Sequence, residues 1–430
     1  TNKEKYLKAV ERLLFNISSK GIYDQLEGGI SRYTVDEKWI IPHFEKMLYD
    51  NIQYIGLLTK YYQKTKNEYF KKKLIQTINF LNKEFKNKEN LYGSAYDADS
   101  EGIEGKYYVW SYEELKNVLQ NDLSLFEEKY QISKEGNFEG NNILVETNKE
   151  LDQNLNYKII NLENKLLQLR KKRIKPIFDD KSQTDLNTFL LDTLINASIV
   201  LEDENLKKNA LKTFKILKDK LSKKIYHCYA SKEIDVFLED YVYYAMLLLT
   251  IYEVDGDENS LNMSSVLLKE IWEIFYDNDK QLLQKNVTKK NDLFVSPFDL
   301  NDNNIPNGNS VYLNLCNKIY TITNDKIWLE KINILKKSFH QVINSYYSQM
   351  FSFIKTLDMC ESSISFTFFG RLDSIKEFKN YLQKNYLSRA TFVYKDKNEQ
   401  QGSVVLCINQ VCSEKLKNLA DIKNYIDDKF

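Results

Sequence analysis

Two short segments of this sequence hold most of the side chains that could carry out chemistry. The first runs from Gly28 to Asn51 and combines the following polar and aromatic residues: Arg32, Asp36, Trp39, His43, Glu45, Tyr49 and Asp50. Proline is well tolerated at the first position of a helix, so we predict a helix that begins at Pro42. His43 then lies beside the helix N-terminus, where the dipole disfavours the imidazolium form. A neutral His43 suits acid/base catalysis, whereas a hydrogen-bonded histidine in a capped helix is the structural alternative.

The second segment is the acidic sequence SAYDADSEG at 94–102, which contains Asp97 and Asp99. In an extended chain these two side chains point to the same side. Two close carboxyl groups raise one another's proton affinity, so that one can act as an acid and the other as a base. The same pair could instead bind a cation or sugar hydroxyls, or form a solvated acidic loop.

Acidic or polar residues also precede three later predicted helices, in the sequences DDK at 179–181, EDY at 239–241 and PNGNS at 306–310. Such residues usually only complement the helix dipole. The other two histidines, His227 and His340, lie outside these segments. Three histidines with no CxxC pair argue against a zinc site, and we predict neither a metal nor a cofactor.

The composition excludes several classes of protein. Lys+Arg and Asp+Glu both number 61, and no basic stripe is present, so we expect no nucleic-acid partner. The longest apolar run, Tyr241 to Tyr252, is shorter than the ~20 residues of a membrane span. Five scattered cysteines do not form a disulfide framework and indicate reduced thiols in a cytoplasmic protein.

The elements that must position these residues are mainly helices. The low content of glycine (13) and proline (4) favours long helices over a loop-rich β fold. Helical periodicity predicts helices at about 3–20, 42–64, 67–87, 185–203, 205–222, 238–254, 257–278, 308–323 and 326–347. A β-hairpin is predicted within 91–111, and short helices and loops within 112–175. The short turns between helices are typical of helix hairpins and predict an (α/α) toroid over 1–350.

The residues after 350 have a different character. Strands are predicted at 364–369 and 404–407, and helices at 372–386 and 413–428. We therefore predict a small α/β C-terminal appendage over 351–430.

Taken together, the motifs resemble the YyaL-like family, which includes the spermatogenesis-associated 20 proteins. The most specific strings are WIIPHFEKMLYDN, with GGISRYTVDE before it, and YDADSEG followed by GKYYVW. GNFEGNNIL, FLEDY and PNGNS follow in the family's order. The resemblance implies an (α/α)6 toroid of the six-hairpin glycosidase and sugar epimerase type. It also implies an N-terminal thioredoxin-like domain without a counterpart here, so we expect a fragment or a form without the redox module.

The resemblance also assigns roles to individual positions. It implies that His43, Glu45, Asp97, Asp99 and Asp240 belong to the catalytic group. It implies a substrate-binding group formed by Arg32, Asp36, Trp39, Tyr49, Asp50, Trp110, Lys181, Asn187, Tyr241 and Asn309. Aromatic faces, carboxylates and amides of this kind suit a sugar.

Several positions depart from the family's pattern. Gln25 and Ser31 stand where histidines are usual, and Glu27 replaces a glycine. Leu186 replaces a tryptophan, and Asn307 replaces a serine. Because epimerases of this architecture use paired histidines, a two-histidine mechanism is not expected here.

Two functions remain open at this point. One is an enzyme for a sugar-like substrate, either epimerase/isomerase-like or glycoside hydrolase-like, with Asp97 or Asp99 as acid or base and His43 assisting. The other is a non-catalytic module that binds a sugar or a partner protein and works with a thioredoxin-like domain. A purely structural scaffold is disfavoured, because acidic side chains that converge on one face are costly to desolvate.

Overall fold

The computed structural model describes residues 3–147, 149, 151–229, 234–287, 297–340, 342–409 and 411–429. The chain divides into two compact units, Thr1–Ser182 and Gln183–Phe430. The predicted fold class is confirmed, because the described residues are mainly helical, consecutive helices pack as hairpins, and a small α/β part lies at the C-terminal end. The domain boundary near residue 350 stays a prediction.

The first unit combines helices with very short strands. In chain order these are α1 (Lys3–Ser19), β1 (Tyr33–Thr34), β2 (Pro42–His43), β3 (Lys46–Met47), α2 (Leu48–Thr65), α3 (Glu68–Glu84), β4 (Ala95–Tyr96), β5 (Asp99–Ser100), β6 (Ile103–Glu104), α4 (Tyr112–Leu119), α5 (Leu123–Lys129), α6 (Gln153–Arg170) and β7 (Phe178–Asp179). Asn67 caps α3, and Ser111 with Glu114 forms a capping box on α4. The 18-residue helix α6 lies where only short helices and loops were predicted.

The predicted helix start at Pro42 is wrong. Residues 42–47 are extended and alternate between buried and half-buried positions, and the helix begins only at Leu48. Pro42, Phe44 and Lys46 are the buried members, so His43 and Glu45 share the opposite, more open face. His43 therefore lies on strand β2, paired with Tyr33 on β1, and not at a helix N-terminus. The dipole argument for its protonation state no longer applies.

A buried group of ions holds this extended segment in place. The two Asp24 oxygens accept from Arg170 at 2.9 and 2.8 Å, and Lys46 Nζ lies 2.8 Å from Asp24 Oδ2. All three side chains are at most 5% exposed. Burial alone would raise the pKa of Asp24, but the charges of Arg170 and Lys46 outweigh it and hold the pKa well below its usual value. These contacts join the loop after α1 to β3 and to the end of α6.

The second unit consists of helix hairpins followed by a sheet. Its elements are α7 (Thr184–Leu201), α8 (Glu204–Leu221), α9 (Leu238–Asp255), α10 (Glu258–Phe275), β8 (Tyr276–Asp277), β9 (Leu282–Leu283), α11 (Gly308–Thr323), α12 (Lys326–His340), α13 (Ile343–Tyr346), α14 (Phe351–Glu361), β10 (Ile364–Phe369), α15 (Lys376–Lys384), β11 (Ala390–Lys395), β12 (Ser403–Ile408), β13 (Val411–Cys412) and α16 (Leu419–Lys429). The helices from α7 to α11 begin and end within about three residues of the predicted limits. Residue 341, inside the prediction for 326–347, lies outside the described residues.

Helix α9 is the centre of the second unit. It is buried along nearly its whole length and packs against α7, α10 and α11. A helix that is apolar on every side is typical of a position surrounded by other helices. None of the helices in the described part of the chain combines the length and hydrophobicity that a membrane span needs.

The C-terminal residues form a four-stranded sheet in the order β11-β10-β12-β13. Strand β10 pairs in parallel with β11 and antiparallel with β12. The two predicted strands at 364–369 and 404–407 are confirmed, whereas β11 and the helix α14 were not predicted. The predicted helices at 372–386 and 413–428 are shorter in the structure, at Lys376–Lys384 and Leu419–Lys429.

This C-terminal part is fastened to the C-terminal end of α9. The carbonyl oxygen of Glu253 accepts from Gln383 at 2.6 Å and from the Tyr394 hydroxyl at 2.8 Å. Lys379 donates to the carbonyl of Val254, and Lys397 donates to that of Gly256, the residue that follows α9. The last carbonyls of a helix have no partner within it, so the tail satisfies groups that would otherwise need water.

Two of the five cysteines contradict the prediction of reduced thiols. Cys407 and Cys412 are directly opposite each other on β12 and β13 and form a disulfide bond. Cys228, Cys316 and Cys360 are free. The pairing could not be predicted because β13 is only two residues long and leaves little pattern in the sequence.

The buried ion group makes a first testable prediction. Asp24→Ala leaves Lys46 and Arg170 buried without their shared carboxylate, so we expect the free energy of unfolding to fall by about 3–5 kcal/mol. Urea denaturation followed by circular dichroism measures this change. The control is Glu4→Ala, which removes one partner of an exposed pair with Lys8 and should cost no more than about 0.5 kcal/mol. Equal losses in the two variants would contradict the importance of the buried group.

Candidate functional site

The first unit gathers charged and phenolic side chains around the open face of residues 42–47. We call this group the first cluster, and its members are Arg32, His43, Glu45, Tyr49, Asp50 and Glu104. The alternation of the extended segment places His43 and Glu45, and the first turn of α2 places Tyr49 and Asp50. Five of the six were predicted from the sequence.

His43 lies between two carboxylates. Its Nδ1 is 2.8 Å from Oε1 of Glu104, and its Nε2 is 3.8 Å from Oε2 of Glu45. The ring also stacks on Tyr33, with the ring centroids 5.0 Å apart. A carboxylate on one ring nitrogen fixes the tautomer and leaves the other nitrogen for a second proton transfer.

Asp50 is the most perturbed carboxyl group of the first cluster. Burial raises its pKa to about 7, with the charge of Glu45 adding to the shift and that of Arg32 opposing it. Its Oδ2 is buried and has no hydrogen-bond partner among the described residues. Burial also raises the pKa of the adjacent Tyr49. A carboxyl group that titrates near neutral pH can both donate and accept a proton there.

Asp97 and Asp99 are both exposed, and Asp99 belongs to the β5–β6 hairpin that carries Glu104 of the first cluster. The backbone amide of Asp99 donates to Oδ1 of Asp97 at 3.3 Å. In the β5–β6 hairpin, Asp99 is directly opposite Glu104, the residue that contacts His43. The catalytic role of this pair stays a prediction, and its exposure suits contact with a polar ligand.

Asp36 and Trp39 belong to the turn that leads into the extended segment. The two Asp36 oxygens accept from the backbone amides of residues 38, 40 and 41 at 2.6–2.9 Å. Trp39 is half-buried, with a left-handed backbone (φ 63°). The contacts of Asp36 therefore shape the loop, and its side chain has little capacity left for a substrate.

Trp110 and Lys181 were also predicted to bind substrate. Trp110 is fully buried, and the Arg173 guanidinium covers its ring at 4.1 Å, so the ring offers no face to a ligand in this structure. Lys181 is exposed and lies 3.3 Å from the carboxylate of Asp179. Of the two, only Lys181 is available at the surface.

The two positions where the family usually has histidines are structural in this chain. Gln25 donates to the carbonyls of Ser18 and Lys20 and accepts from Lys73 Nζ at 2.7 Å. Gln25 and Ser31 line a cavity of about 30 Å³. That volume holds one or two water molecules and not a sugar, so these positions supply no acid/base group.

The second unit contains a separate titratable group, which we call the second cluster: Asp185, His227 and Asp240. Asp240 is fully buried, and its oxygens lie 3.0 and 3.2 Å from His227 Nδ1. They also accept from the backbone amides of Phe237 and Asp185. Burial raises the pKa of Asp185 to about 7, and the charge of Asp240 adds to the shift. Burial lowers the pKa of His227, but the hydrogen bond and charge of Asp240 outweigh it and raise the pKa overall.

The other predicted residues of the second unit have structural contacts. The amide of Asn187 donates to the Gln183 carbonyl at 2.9 Å. Tyr241 is buried edge-on against Phe275, and burial raises its pKa to about 12. Asn309 exchanges two hydrogen bonds with the backbone of Leu283, at 2.8 and 2.9 Å.

Three residues of these clusters were not predicted from the sequence as site residues, namely Glu104, Asp185 and His227. Glu104 could have been found, because the pair Glu101-Gly102 can form a two-residue hairpin turn, in which glycine readily adopts a positive φ. The structure has this turn, with positive φ at both residues, and it places Glu104 opposite Asp99. Asp185 and His227 carry no such signal. They meet Asp240 only through the packing of three separate segments.

Comparison with known proteins supports the motif-based resemblance. No protein-family model matches the chain. The chain is 25% identical over 401 residues to mouse spermatogenesis-associated protein 20, which covers 81% of this chain and 50% of that protein. It is 26% identical over 376 residues to the human protein of the same name, covering 76% of this chain and 48% of that protein. The chain thus spans about half the length of the curated relatives it matches.

Solved structures with a similar chain path are named for sugar enzymes. The cellobiose 2-epimerase of Spirochaeta thermophila aligns with a TM-score of 0.48 at 8% identity, over 89% of this chain and 84% of that one. A GH76A alpha-1,6-mannanase of Salegentibacter aligns with a TM-score of 0.42 at 11% identity, over 77% of this chain and 70% of that one.

The raised pKa of Asp50 predicts a pH dependence of stability. In the folded chain its pKa is about 7, above the usual value of 3.8, so the unfolded chain loses this proton first as the pH rises. The wild type therefore loses stability between about pH 4 and pH 7, and the loss levels off above pH 7. Asp50→Asn removes this cost, and we expect its melting temperature to exceed that of the wild type by about 2 °C or more at pH 8.

The gain in melting temperature of Asp50→Asn over the wild type should shrink toward zero as the pH falls to 4. Thermal unfolding measured across this pH series checks the prediction. Asp219→Asn is the control, because Asp219 is exposed and should follow the wild type at every pH. A pH-independent difference between Asp50→Asn and the wild type would rule out a carboxyl group that stays protonated in the fold.

Proposed function

We propose that this chain is an enzyme that acts on a sugar or sugar-like substrate by acid/base chemistry, with the first cluster as its reaction centre. The observation that carries the proposal is Asp50, a half-buried carboxyl group with a pKa of about 7 and one buried, unpaired oxygen. Perturbed carboxyl groups of this kind are concentrated at functional sites. The resemblance of the motifs to a family related to sugar epimerases and glycosidases supports the substrate class.

Within the cluster each side chain has a distinct task. Asp50 removes or returns a proton, because near neutral pH both of its protonation states are populated. His43 serves as the second acid/base group, since Glu104 holds its Nδ1 and leaves Nε2 free toward Glu45. Arg32, which contacts Glu45 at 3.4 Å, places a fixed positive charge beside the reacting atoms.

One residue of the cluster, Arg32, favours epimerisation or isomerisation over glycoside hydrolysis, whereas its carboxyl groups suit either reaction. Removal of a proton next to a sugar carbonyl develops negative charge on oxygen, which Arg32 stabilises. Hydrolysis of a glycoside instead passes through an oxocarbenium-like cation, which the same guanidinium would disfavour. The two exposed carboxylates, Asp97 and Asp99, then serve as ligands for sugar hydroxyls or as a further acid/base pair.

A specific observation favours the second candidate function, a non-catalytic sugar- or partner-binding module that works with a thioredoxin-like domain. Gln25 and Ser31, at the positions of the usual histidines, are buried and structural. The relatives are also about twice as long as this chain, which leaves room for a further domain in them. The two functions differ in whether a product forms.

The deciding experiment follows exchange and product formation in D2O. The purified chain is incubated with reducing monosaccharides and disaccharides, and NMR records deuterium at the carbon next to the carbonyl together with any epimer. We expect turnover with at least one sugar, and a loss of at least about 100-fold in Asp50→Asn. The earlier assignment is tested in parallel by alanine at Asp97 and at Asp99, each expected to reduce turnover by a similar factor.

Asp219→Asn is again the matched control and should keep wild-type turnover. A thermal-shift screen with the same sugars separates binding from catalysis, since any ligand that prefers the folded state raises the melting temperature. Sugar binding without exchange or product would replace the enzyme by the binding module. Turnover that persists in Asp50→Asn would remove Asp50 from the mechanism.

A further inference from the structure

The second cluster has the composition and spacing of a metal site. One carboxylate oxygen of Asp185, one ring nitrogen of His227 and one carboxylate oxygen of Asp240 lie within 4.8 Å of one another. Zinc–nitrogen and zinc–oxygen bonds are about 2.0–2.2 Å long and zinc is tetrahedral, so two ligand atoms on one ion lie about 3.4 Å apart. A closure of the widest pair by about 1 Å, within the reach of side-chain rotation, brings all three atoms into a common coordination sphere.

A second observation points to a missing positive charge at this place. Asp185 is more than nine-tenths buried, and among the described residues the only hydrogen bond to its carboxylate comes from the backbone amide of Leu186 at 2.7 Å, which leaves the other carboxylate oxygen without a partner there. Oε2 of the nearby Glu239 is likewise buried and unpaired. Lys285, whose charge acts on both Asp185 and Glu239, is already paired with Asp299 at 2.6 Å.

Among the described residues, carboxyl groups therefore outnumber the basic groups around the cluster. Asp185, Asp240 and Glu239 face one imidazole and one lysine that is shared with a fourth carboxylate. Buried carboxylates are stable when they are paired, protonated or bound to a metal. Imidazole with two carboxylates is a donor set that zinc and its neighbours in the first transition row accept.

We propose that Asp185, His227 and Asp240 bind a divalent transition-metal ion of the zinc class. The ion joins three segments of the second unit: the start of α7, the residues that follow α8, and the start of α9. Three protein ligands leave at least one coordination position for water or for a substrate oxygen, as in catalytic zinc sites. The sequence-based argument against zinc considered only histidine and cysteine spacing, and it did not anticipate a site with two carboxylates.

The protons balance as follows. His227 Nδ1 now shares a proton with Asp240, and Nε2 lies 2.9 Å from the amide nitrogen of Gln183. Metal binding at Nδ1 releases this proton to the solvent, and Nε2 takes up a proton from the solvent, so the imidazole stays neutral. The Gln183 amide turns over and accepts from Nε2 with its oxygen, the outer hydrogen bond that metal-bound histidines usually make.

The test uses the purified chain after removal of metals with EDTA. Zinc is added and excess is dialysed away, and the bound metal is measured by mass spectrometry. We expect one zinc per chain. Cobalt, which replaces zinc in such sites, should give visible absorption bands typical of a four- or five-coordinate ion. Magnesium should not compete, because it prefers sites made only of oxygen ligands.

Two variants locate the ion. His227→Ala and Asp185→Asn should each lower zinc affinity by roughly 100-fold or more and abolish the cobalt bands. Asp240 is less suitable, because its backbone contacts at the start of α9 make an unfolded variant the expected result. Circular dichroism confirms that each variant remains folded.

Two histidine controls complete the design. His340→Ala removes an exposed histidine of the same unit and should keep full zinc binding. His43→Ala disrupts the first cluster and should also keep full zinc binding. Absence of zinc from the wild type, or binding lost in His43→Ala but kept in His227→Ala, would overturn the proposal. Neither result bears on sugar turnover, so this proposal and the proposed function can fail independently.

Discussion

The buried contact of Asp24 with Lys46 and Arg170 is the constraint on which the first cluster depends. Lys46 has an unusual position for a lysine, nearly fully buried and within 4.4–4.9 Å of the rings of Phe80 and Tyr108. It can remain there only because Asp24 compensates its charge. With Lys46 directed inward, the alternation of an extended chain forces its neighbour Glu45 outward, and His43 with it. An internal ion pair thereby sets the orientation of two side chains of the first cluster.

The second unit uses a different constraint to place its titratable groups. Asp240 lies in the first turn of α9, and this helix is buried along nearly its whole length. The backbone amides of Phe237 and Asp185 both donate to the Asp240 carboxylate, so one side chain ties the starts of α9 and α7 together. His227 joins them from the loop after α8. The same carboxylate is therefore both a helix cap and a member of the second cluster.

The sequence predicts the long helices well because their burial follows a period of 3.6 residues. The prediction from sequence fails at residues 42–47. The buried positions of a strand are normally apolar, but buried position 46 is a lysine, so the alternating pattern of a strand is not visible in the sequence. The sequence also does not predict β11. Its partner in the sheet is β10, and helix α15 lies between the two strands in the chain, so no hairpin pattern connects them. Among the site residues, the members of the contiguous string from Arg32 to Asp50 were recognisable as a group. His227 was not, since a single histidine in a loop acquires its chemistry only from partners 13 and 42 residues away in sequence.

Helix α9 also sets the distance between the second cluster and the C-terminal sheet. Asp240 lies in its first turn, and the tail binds the carbonyls of its last turn through Gln383 and Tyr394. At 1.5 Å per residue, an 18-residue helix separates its two ends by about 27 Å. That is several times the reach of a hydrogen bond and more than two Debye lengths in physiological salt. Changes in the C-terminal sheet, in its loops, its outer face or its surface charge, can therefore leave the second cluster at the opposite end of α9 unaltered.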